Sequence, residues 1–107
     1  MFLNITIYGY ILFKFLQDFA LKMKAKSKDK EYFNKRFGAF VKHKRMEHSL
    51  TQVGLADMVG NNFQNISRLE RGEYAPTLFW IKNLAEAFEI SLSDLILQFE
   101  KFQTKNK

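Results

Sequence analysis

The sequence has no cysteine, which excludes disulfide bridges, zinc–thiolate sites and thiol catalysis. Only one proline and five glycines occur in 107 residues, and no segment alternates apolar and polar residues as a half-buried strand would. His43 and His48 lack a third ligand at metal-binding spacing, and there is no Ser-His-Asp set, carboxylate pair or glycine-rich phosphate loop. These absences favour a single all-α domain suited to a reducing cytoplasm, and they argue against an enzyme, a metal site or a cofactor.

Positive charge is abundant, and it is concentrated in one stretch. The formal net charge is +6, yet residues 22–45 carry ten basic against two acidic residues, or +8. Residues 46–107 carry six basic against eight acidic residues, or −2. A cluster of this kind commonly meets phosphate or anionic lipid, and the alternative is a solvated tail that aids solubility.

Composition divides the chain into four zones. Residues 1–23 are hydrophobic, residues 24–33 are a lysine-rich linker without apolar periodicity, residues 34–102 carry helical patterning, and residues 103–107 are a polar tail expected to fray. The patterned zone predicts five short helices.

The first two predicted helices are bounded by clear signals. The first runs from about Asn34 to Glu47, and the second from Gln52 to Val59 after the N-cap Thr51, with Gly60 ending it. Their predicted inward residues are Phe37, Phe40, Val41 and the Lys44 stem, then Leu55, Met58 and Val59.

The other three helices follow at short intervals. The third runs from Asn62 to Arg71 and is closed by Gly72, the fourth opens at Pro76-Thr77, and the fifth begins at Ser91. Asp94, three residues after Ser91, makes a variant of the capping box. The predicted inward residues are Ile66 and Leu69, then Leu78, Ile81, Leu84, Ala85 and Phe88, then Leu92, Leu95, Ile96 and Phe99.

The second and third helices, with the turn between them, form the most informative motif. Ala56 is small where two helices must cross closely, and Ile66 and Leu69 anchor the third helix. The side chains left on its outward face are those of Phe63, Gln64, Asn65, Ser67 and Arg68. Gln, Asn and Arg carry the donor and acceptor pairs that read base edges.

Residues 50–72 resemble the helix-turn-helix of the XRE-type, lambda-repressor-like family. The resemblance extends over 37–95 and includes Leu-Thr-Gln, a Leu-Ala pair, the turn glycine, Ile-Ser-Arg-Leu-Glu-Arg-Gly, and a later Pro and Leu-Ala. It implies an all-α, five-helix lambda-repressor-like domain, here with an added hydrophobic or amphipathic N-terminal helical segment. It also implies a sequence-specific regulator of transcription that binds double-stranded DNA through the major groove, most often as a repressor.

The resemblance implies roles for particular residues. Gln52 would contact a phosphate and brace the first recognition residue, and Gln64 and Arg68 are the best candidates for hydrogen bonds to bases. The residues facing the groove would be Phe63, Gln64, Asn65 and Arg68, with Ser67 beside them. Asn62 and Arg71 would hold the DNA backbone at the two ends of the helix. Arg45 and Glu70 match a structural ion pair of the family.

Two positions depart from the family pattern. Gly54 stands where the family commonly has Glu, which costs about 1 kcal/mol of helix propensity and removes a capping partner. Phe63 stands where a polar base contact is frequent. It would pack either on a thymine methyl group or against the protein's own turn, and the groove is preferred.

Phosphate contacts are expected from the basic stretch. Lys42 and Arg36 on the first helix, with the lysines before them, would neutralise phosphates and release counterions, which supplies affinity without sequence preference.

Four aromatic residues suggest a dimer interface. Phe79 and Trp80 lie in the fourth helix, where the family often has polar residues, and Phe99 and Phe102 lie in the fifth. Together they would form an exposed patch through which a homodimer reads two half-sites. The alternative is that the aromatic N-terminal segment folds back over them.

The N-terminal segment allows three interpretations. Its charge-free run, residues 1–13, is too short for a spanning helix, which needs about 20 residues. Over residues 11–23 the polar side chains of Lys14, Gln17, Asp18 and Lys22 share one helical face. An added helix and a biological start at Met23 are ranked equal, and contact with a membrane is ranked third.

Two other functions remain open. The chain would have a protein as its main partner if it were an antitoxin or a restriction-modification controller. It would not bind DNA at all if it were an interaction module tethered to a membrane through its N-terminus, although Gln64, Arg68 and the basic stretch argue against that.

Overall fold

The computed structural model describes the backbone of residues 2–105 and the side chains of residues 7–24 and 26–102. That part of the chain holds five α-helices and no strand: α1 Phe2–Glu47, α2 Gln52–Val59, α3 Phe63–Glu70, α4 Leu78–Ala87 and α5 Leu92–Lys105. The prediction of an all-α fold with five helices is confirmed. By internal contacts the residues group into two units, one up to Lys30 and one from Glu31 onward.

The first helix is much longer than predicted: α1 begins at Phe2, whereas the predicted start was near Asn34. Residues 24–33, predicted as a linker, are helical. They contain neither proline nor glycine, and lysine and alanine have high helix propensity, so nothing in them ends a helix even though they lack an apolar stripe. At the other end, α5 continues to Lys105, so the predicted tail is helical over 103–105, and residues 106–107 lie outside the described residues.

The first unit is a helix with exposed apolar side chains. They are those of Ile7, Tyr8, Tyr10, Ile11, Leu12, Phe13, Phe15, Leu16, Phe19, Leu21 and Met23. Within the described residues, no helix has an apolar stretch long enough to cross a bilayer.

Helices α2 to α5 begin at the predicted residues. The hydroxyls of Thr51, Thr77 and Ser91 accept hydrogen bonds from the backbone N–H groups of Gly54, Trp80 and Asp94, at 2.9, 3.2 and 3.0 Å. Each bond satisfies a donor that has no partner inside the helix. Gly60 ends α2 in the left-handed conformation, with φ of 68°. Because each helix begins and ends at a defined cap, the connections between consecutive helices are only a few residues long.

The core of the second unit joins all five helices. Its buried residues are Phe37, Phe40 and Val41 of α1, Leu55 and Ala56 of α2, Ile66 and Leu69 of α3, Leu84, Ala85, Ala87 and the adjoining Phe88 of α4, and Leu95 and Phe99 of α5. The Lys44 stem is also buried, as predicted, while its Nζ donates to Glu47 at 3.1 Å. This core fixes α3 against α2.

Two predicted core residues are exposed instead. Met58 and Leu78 expose 54% and 67% of their surface. The inward stripe of α2 follows Leu55, Ala56 and Val59, and Met58 lies beside it. Leu78 is the first residue of α4, and at this position the apolar face of the helix is no longer covered by the core.

Phe99 corrects the predicted aromatic patch. It is only 5% exposed and lies edge-on to Phe37, with ring centroids 5.1 Å apart. Phe102 is partly buried, 5.5 Å from Phe40, and Trp80 is also partly buried. Helix α5 therefore uses its aromatic residues to pack on α1, and of the four candidates Phe79 alone is largely exposed, at 68%.

Helix α1 approaches the end of α3 very closely at Gly38. A Cβ atom added there would lie 2.4 Å from the carbonyl oxygen of Leu69 and 2.6 Å from that of Glu70. Both are backbone atoms, so the neighbour cannot move aside by changing a rotamer. The absence of a side chain at Gly38 sets the distance between α1 and α3.

Candidate nucleic-acid interface

Helix α3 is held by its inner face and by both ends. Ile66 and Leu69 are completely buried, and the Asn62 side chain accepts a hydrogen bond from the Asn65 N–H at 2.9 Å. At the other end Arg71 is the C-cap, and Gly72 follows with φ of 75°, a conformation that favours glycine. The predicted caps are therefore confirmed.

The outer face of α3 carries the five predicted residues, but they differ in how far they are exposed. Phe63, Gln64 and Arg68 are exposed. Asn65 and Ser67 are partly buried and engaged within the protein: Asn65 Nδ2 donates to Asn61 Oδ1 at 2.7 Å, and Ser67 Oγ accepts a bond from Arg71. On this face the accessible surface is therefore concentrated on Phe63, Gln64 and Arg68.

Arg45 and Glu70 form the predicted ion pair. Arg45 Nε and Nη2 donate to the two carboxylate oxygens of Glu70 at 2.7 and 3.0 Å, and Arg45 Nη1 donates to the Leu50 carbonyl at 2.8 Å. Only 12% of the Arg45 side chain and 4% of the Glu70 side chain are exposed. The bond to Glu70 raises the pKa of Arg45 above its usual value, against the opposing effect of burial. The pair joins α1 to α3.

Gln52 takes part in this ion pair. Its Nε2 donates to Glu70 Oε1 at 3.1 Å, so the side chain at the start of α2 is tied to the end of α3. The family resemblance implies that Gln52 contacts a phosphate and braces the first recognition residue. Among the described contacts its partner is Glu70, so Gln52 braces the opposite end of the helix. A primary amide has two N–H donors, and the second is not used by this bond.

The basic stretch is less available than its charge suggests. Lys44 and Arg45 are engaged by Glu47 and Glu70, and Arg36 donates to the Phe102 carbonyl at 3.4 Å. Arg36 is half-buried, with its guanidinium 5.7 Å from the Tyr32 ring centroid and 5.9 Å from that of Phe102. Its role is to tie α1 to α5, whereas Lys42 is exposed as expected.

The two histidines lie near the end of α1, as predicted. His43 pairs with Glu47 at 3.0 Å, and His48 stacks on Phe88 with ring centroids 5.3 Å apart. In the described part of the chain no group of three or more His, Cys, Asp or Glu residues is arranged to hold a metal ion.

Residues 41–95 match the family described as Helix-turn-helix, HTH_3. The chain belongs to this family. An HTH-type transcriptional regulator of Methanocaldococcus jannaschii is 33% identical over 57 residues, which cover 53% of this chain and 86% of that protein. The family and its regulators point to a non-enzymatic protein, in agreement with the prediction.

Solved structures share the fold. The restriction-modification controller protein C.AhdI from Aeromonas hydrophila superposes with a TM-score of 0.57 at 28% identity, over 60% of this chain and 97% of that one. The clp gene regulator ClgR from Corynebacterium glutamicum superposes with a TM-score of 0.60 at 19% identity, over 68% of this chain and 79% of that one. The latter similarity establishes the fold alone.

Sequence reasoning missed three residues of the site. Asn61, Glu73 and Tyr74 all contact side chains of α3 or of its C-cap. Tyr74 lies six positions from Arg68 across a turn, and no periodic pattern relates such residues. Asn61 next to the cap Asn62 was the one available signal, since asparagine bonds readily to nearby polar groups.

Proposed function

We propose that this protein is a transcriptional regulator that binds double-stranded DNA at specific sites and acts as a repressor. The observation that supports the proposal is that α3 has one fully buried face and one exposed face. Ile66 and Leu69 are fully buried, while Phe63, Gln64 and Arg68 are exposed between two capped ends. A short, firmly held helix with such a face suits the major groove.

Specificity would come from the exposed side chains of α3. Arg68 pairs best with guanine and Gln64 with adenine, and each bidentate contact contributes about 1–3 kcal/mol of discrimination. Phe63 would pack on a thymine methyl group. Asn65 and Ser67, whose side chains already have partners, would contribute less.

Affinity without sequence preference would come from phosphate contacts. Lys42 on α1, Asn62 and Arg71 at the ends of α3, and the second N–H of Gln52 are the proposed donors. The lysines between residues 22 and 35 would add long-range attraction that salt weakens. Arg36 is not one of the proposed phosphate donors, because its guanidinium donates to the Phe102 carbonyl within the protein.

Substitution of Arg68 and of Lys42 separates the two kinds of contact. Arg68→Ala should reduce discrimination at one base step by roughly 5- to 150-fold, the equivalent of ~1–3 kcal/mol. Lys42→Ala should weaken binding to all sequences about equally and reduce the salt slope by about 1. Sites selected from a random DNA pool, followed by titrations at several salt concentrations, measure both effects. The division of roles is wrong if the two variants behave alike across site variants.

We also propose that the protein binds as a homodimer in the cytoplasm. A dimer binds two half-sites about 34 Å apart, so the affinity of the dimer for DNA is much higher than that of a single subunit. Of the predicted aromatic interface only Phe79 stays largely exposed, since Phe99 is in the core, and the neighbouring Leu78, which was predicted to be inward, is exposed beside it. Sedimentation at micromolar concentration should give a dimer, and Phe79→Ser should shift it toward monomer. A strict monomer in the unaltered protein contradicts this proposal.

A second function is favoured by one comparison. The similarity to a restriction-modification controller at 28% identity covers nearly all of that protein. A controller of this type would retain the DNA contacts proposed above, and a neighbouring nuclease gene would identify it.

A further inference from the structure

The turn after α3 folds back onto that helix. The Tyr74 hydroxyl donates to the backbone carbonyl of Asn65 at 3.0 Å, and the Glu73 N–H donates to the Arg68 carbonyl at 3.1 Å. On its other side the Tyr74 ring meets Trp80 edge-on, with centroids 6.3 Å apart. Burial raises the pKa of Tyr74, with the positive charge of Arg68 opposing this, so the hydroxyl remains a neutral donor at physiological pH.

Two groups of this turn hold the Arg68 side chain. The guanidinium carbon lies 5.3 Å from the centroid of the Tyr74 ring, within the range of a cation–π contact. Arg68 Nε lies 3.5 Å from Glu73 Oε1. Arg71 also donates a hydrogen bond to Glu73. The pKa of Glu73 is lowered mainly by Arg71 and to a smaller extent by Arg68, so its carboxylate is charged.

We propose that Tyr74 is a positioning residue that presets Arg68 for its contact with a base, and that Glu73 is the counter-ion exchanged for DNA. The inference deepens the proposed function and rests on it. A long arginine side chain loses rotamer freedom when it binds, and a side chain already held in place loses less. A cation–π contact with the Tyr74 ring uses no N–H group of the guanidinium in a hydrogen bond, so this contact leaves the terminal nitrogens available for the two parallel hydrogen bonds that guanine accepts.

The contact with Glu73 differs from the contact with Tyr74. Both partners are about half exposed, and an ion pair of that kind is weak and easily exchanged. A carboxylate beside the base-reading arginine also repels phosphate. Glu73 would therefore reduce binding to every sequence, while Tyr74 would improve binding to the correct one.

The experiment measures discrimination at the base step read by Arg68. That step is the one whose preference Arg68→Ala abolishes on the selected site. We expect Tyr74→Leu to reduce discrimination there by about three- to tenfold and to leave the other steps unchanged. In the Arg68→Ala background Tyr74→Leu should cause no further loss, because the residue it positions is absent.

Three further variants act as controls. Tyr74→Phe keeps the ring and removes the bond to Asn65, so discrimination should stay within twofold. Tyr32→Leu removes a tyrosine that lies 5.7 Å from another guanidinium, that of Arg36, and should leave discrimination unchanged. Glu73→Gln should raise the affinity for all DNA severalfold without improving discrimination.

The outcomes separate this inference from the function beneath it. If the unaltered protein prefers no sequence, the proposed function fails and the inference with it. If it does prefer one, but Tyr74→Leu weakens all steps equally or acts as strongly without Arg68, Tyr74 is only structural. Should thermal melting show that Tyr74→Leu does not fold, Tyr74→Met keeps most of the volume without an aromatic ring and takes its place in the same cycle.

Discussion

Glu70→Ala should lower the free energy of unfolding by about 3–5 kcal/mol, the range for removing one partner of a buried ion pair. The carboxylate accepts three hydrogen bonds, two from Arg45 and one from Gln52, and is 4% exposed. Without it, the Arg45 guanidinium stays largely buried with one remaining partner, the Leu50 carbonyl. Urea denaturation followed by circular dichroism measures the loss.

Glu73→Ala is the matched control for this substitution. Glu73 lies three residues away and also pairs with arginines, but it is exposed, so its removal should leave the free energy of unfolding nearly unchanged. Replacing both Arg45 and Glu70 with apolar residues of similar size should recover much of the loss. If Glu70→Ala and Glu73→Ala cost the same, burial is not what makes the Arg45–Glu70 pair important.

The same ion pair shows what the sequence could predict. Family resemblance predicts the pairing of Arg45 with Glu70, and side-chain type predicts the capping residues Thr51, Asn62 and Ser91. Such features depend on a residue's type and its place relative to a helix end. They survive changes in the rest of the structure, so sequence reasoning recovers them.

Other features depend on distances that no local pattern encodes. By sequence alone Phe99 fits both the inward face of the fifth helix and an exposed aromatic patch, and the packing of α5 on α1, which places its ring beside Phe37, decides between the two. The start of α1 at Phe2 was missed because a lysine-rich segment resembles a linker when only apolar periodicity is considered. For the candidate site, the outward residues of α3 were predicted, but the partners of Asn65 and Arg68 were not. Those partners come from turns whose path is set by tertiary packing.

Gly38→Ala is the substitution that tests the spacing between α1 and α3. The new Cβ would meet two backbone carbonyl oxygens at 2.4 and 2.6 Å, so one helix must shift. We expect a net loss of about 2–3 kcal/mol in the free energy of unfolding, at the upper end of the usual cost of overpacking, despite the higher helix propensity of alanine. We expect the shift to displace α3, so discrimination among DNA sequences should fall together with stability.

The matched control lies in the same helix. Gly9→Ala makes the identical chemical change where, apart from the adjacent residues and backbone of the same helix, no atom lies within 4 Å of the new Cβ. Its helix propensity gain is up to about 1 kcal/mol, so stability should be unchanged or slightly higher. Chemical denaturation and DNA titration of both variants decide the matter. If Gly38→Ala behaves like Gly9→Ala, α1 does not limit how α3 is placed, and the close approach at residue 38 has no bearing on the surface that reads DNA.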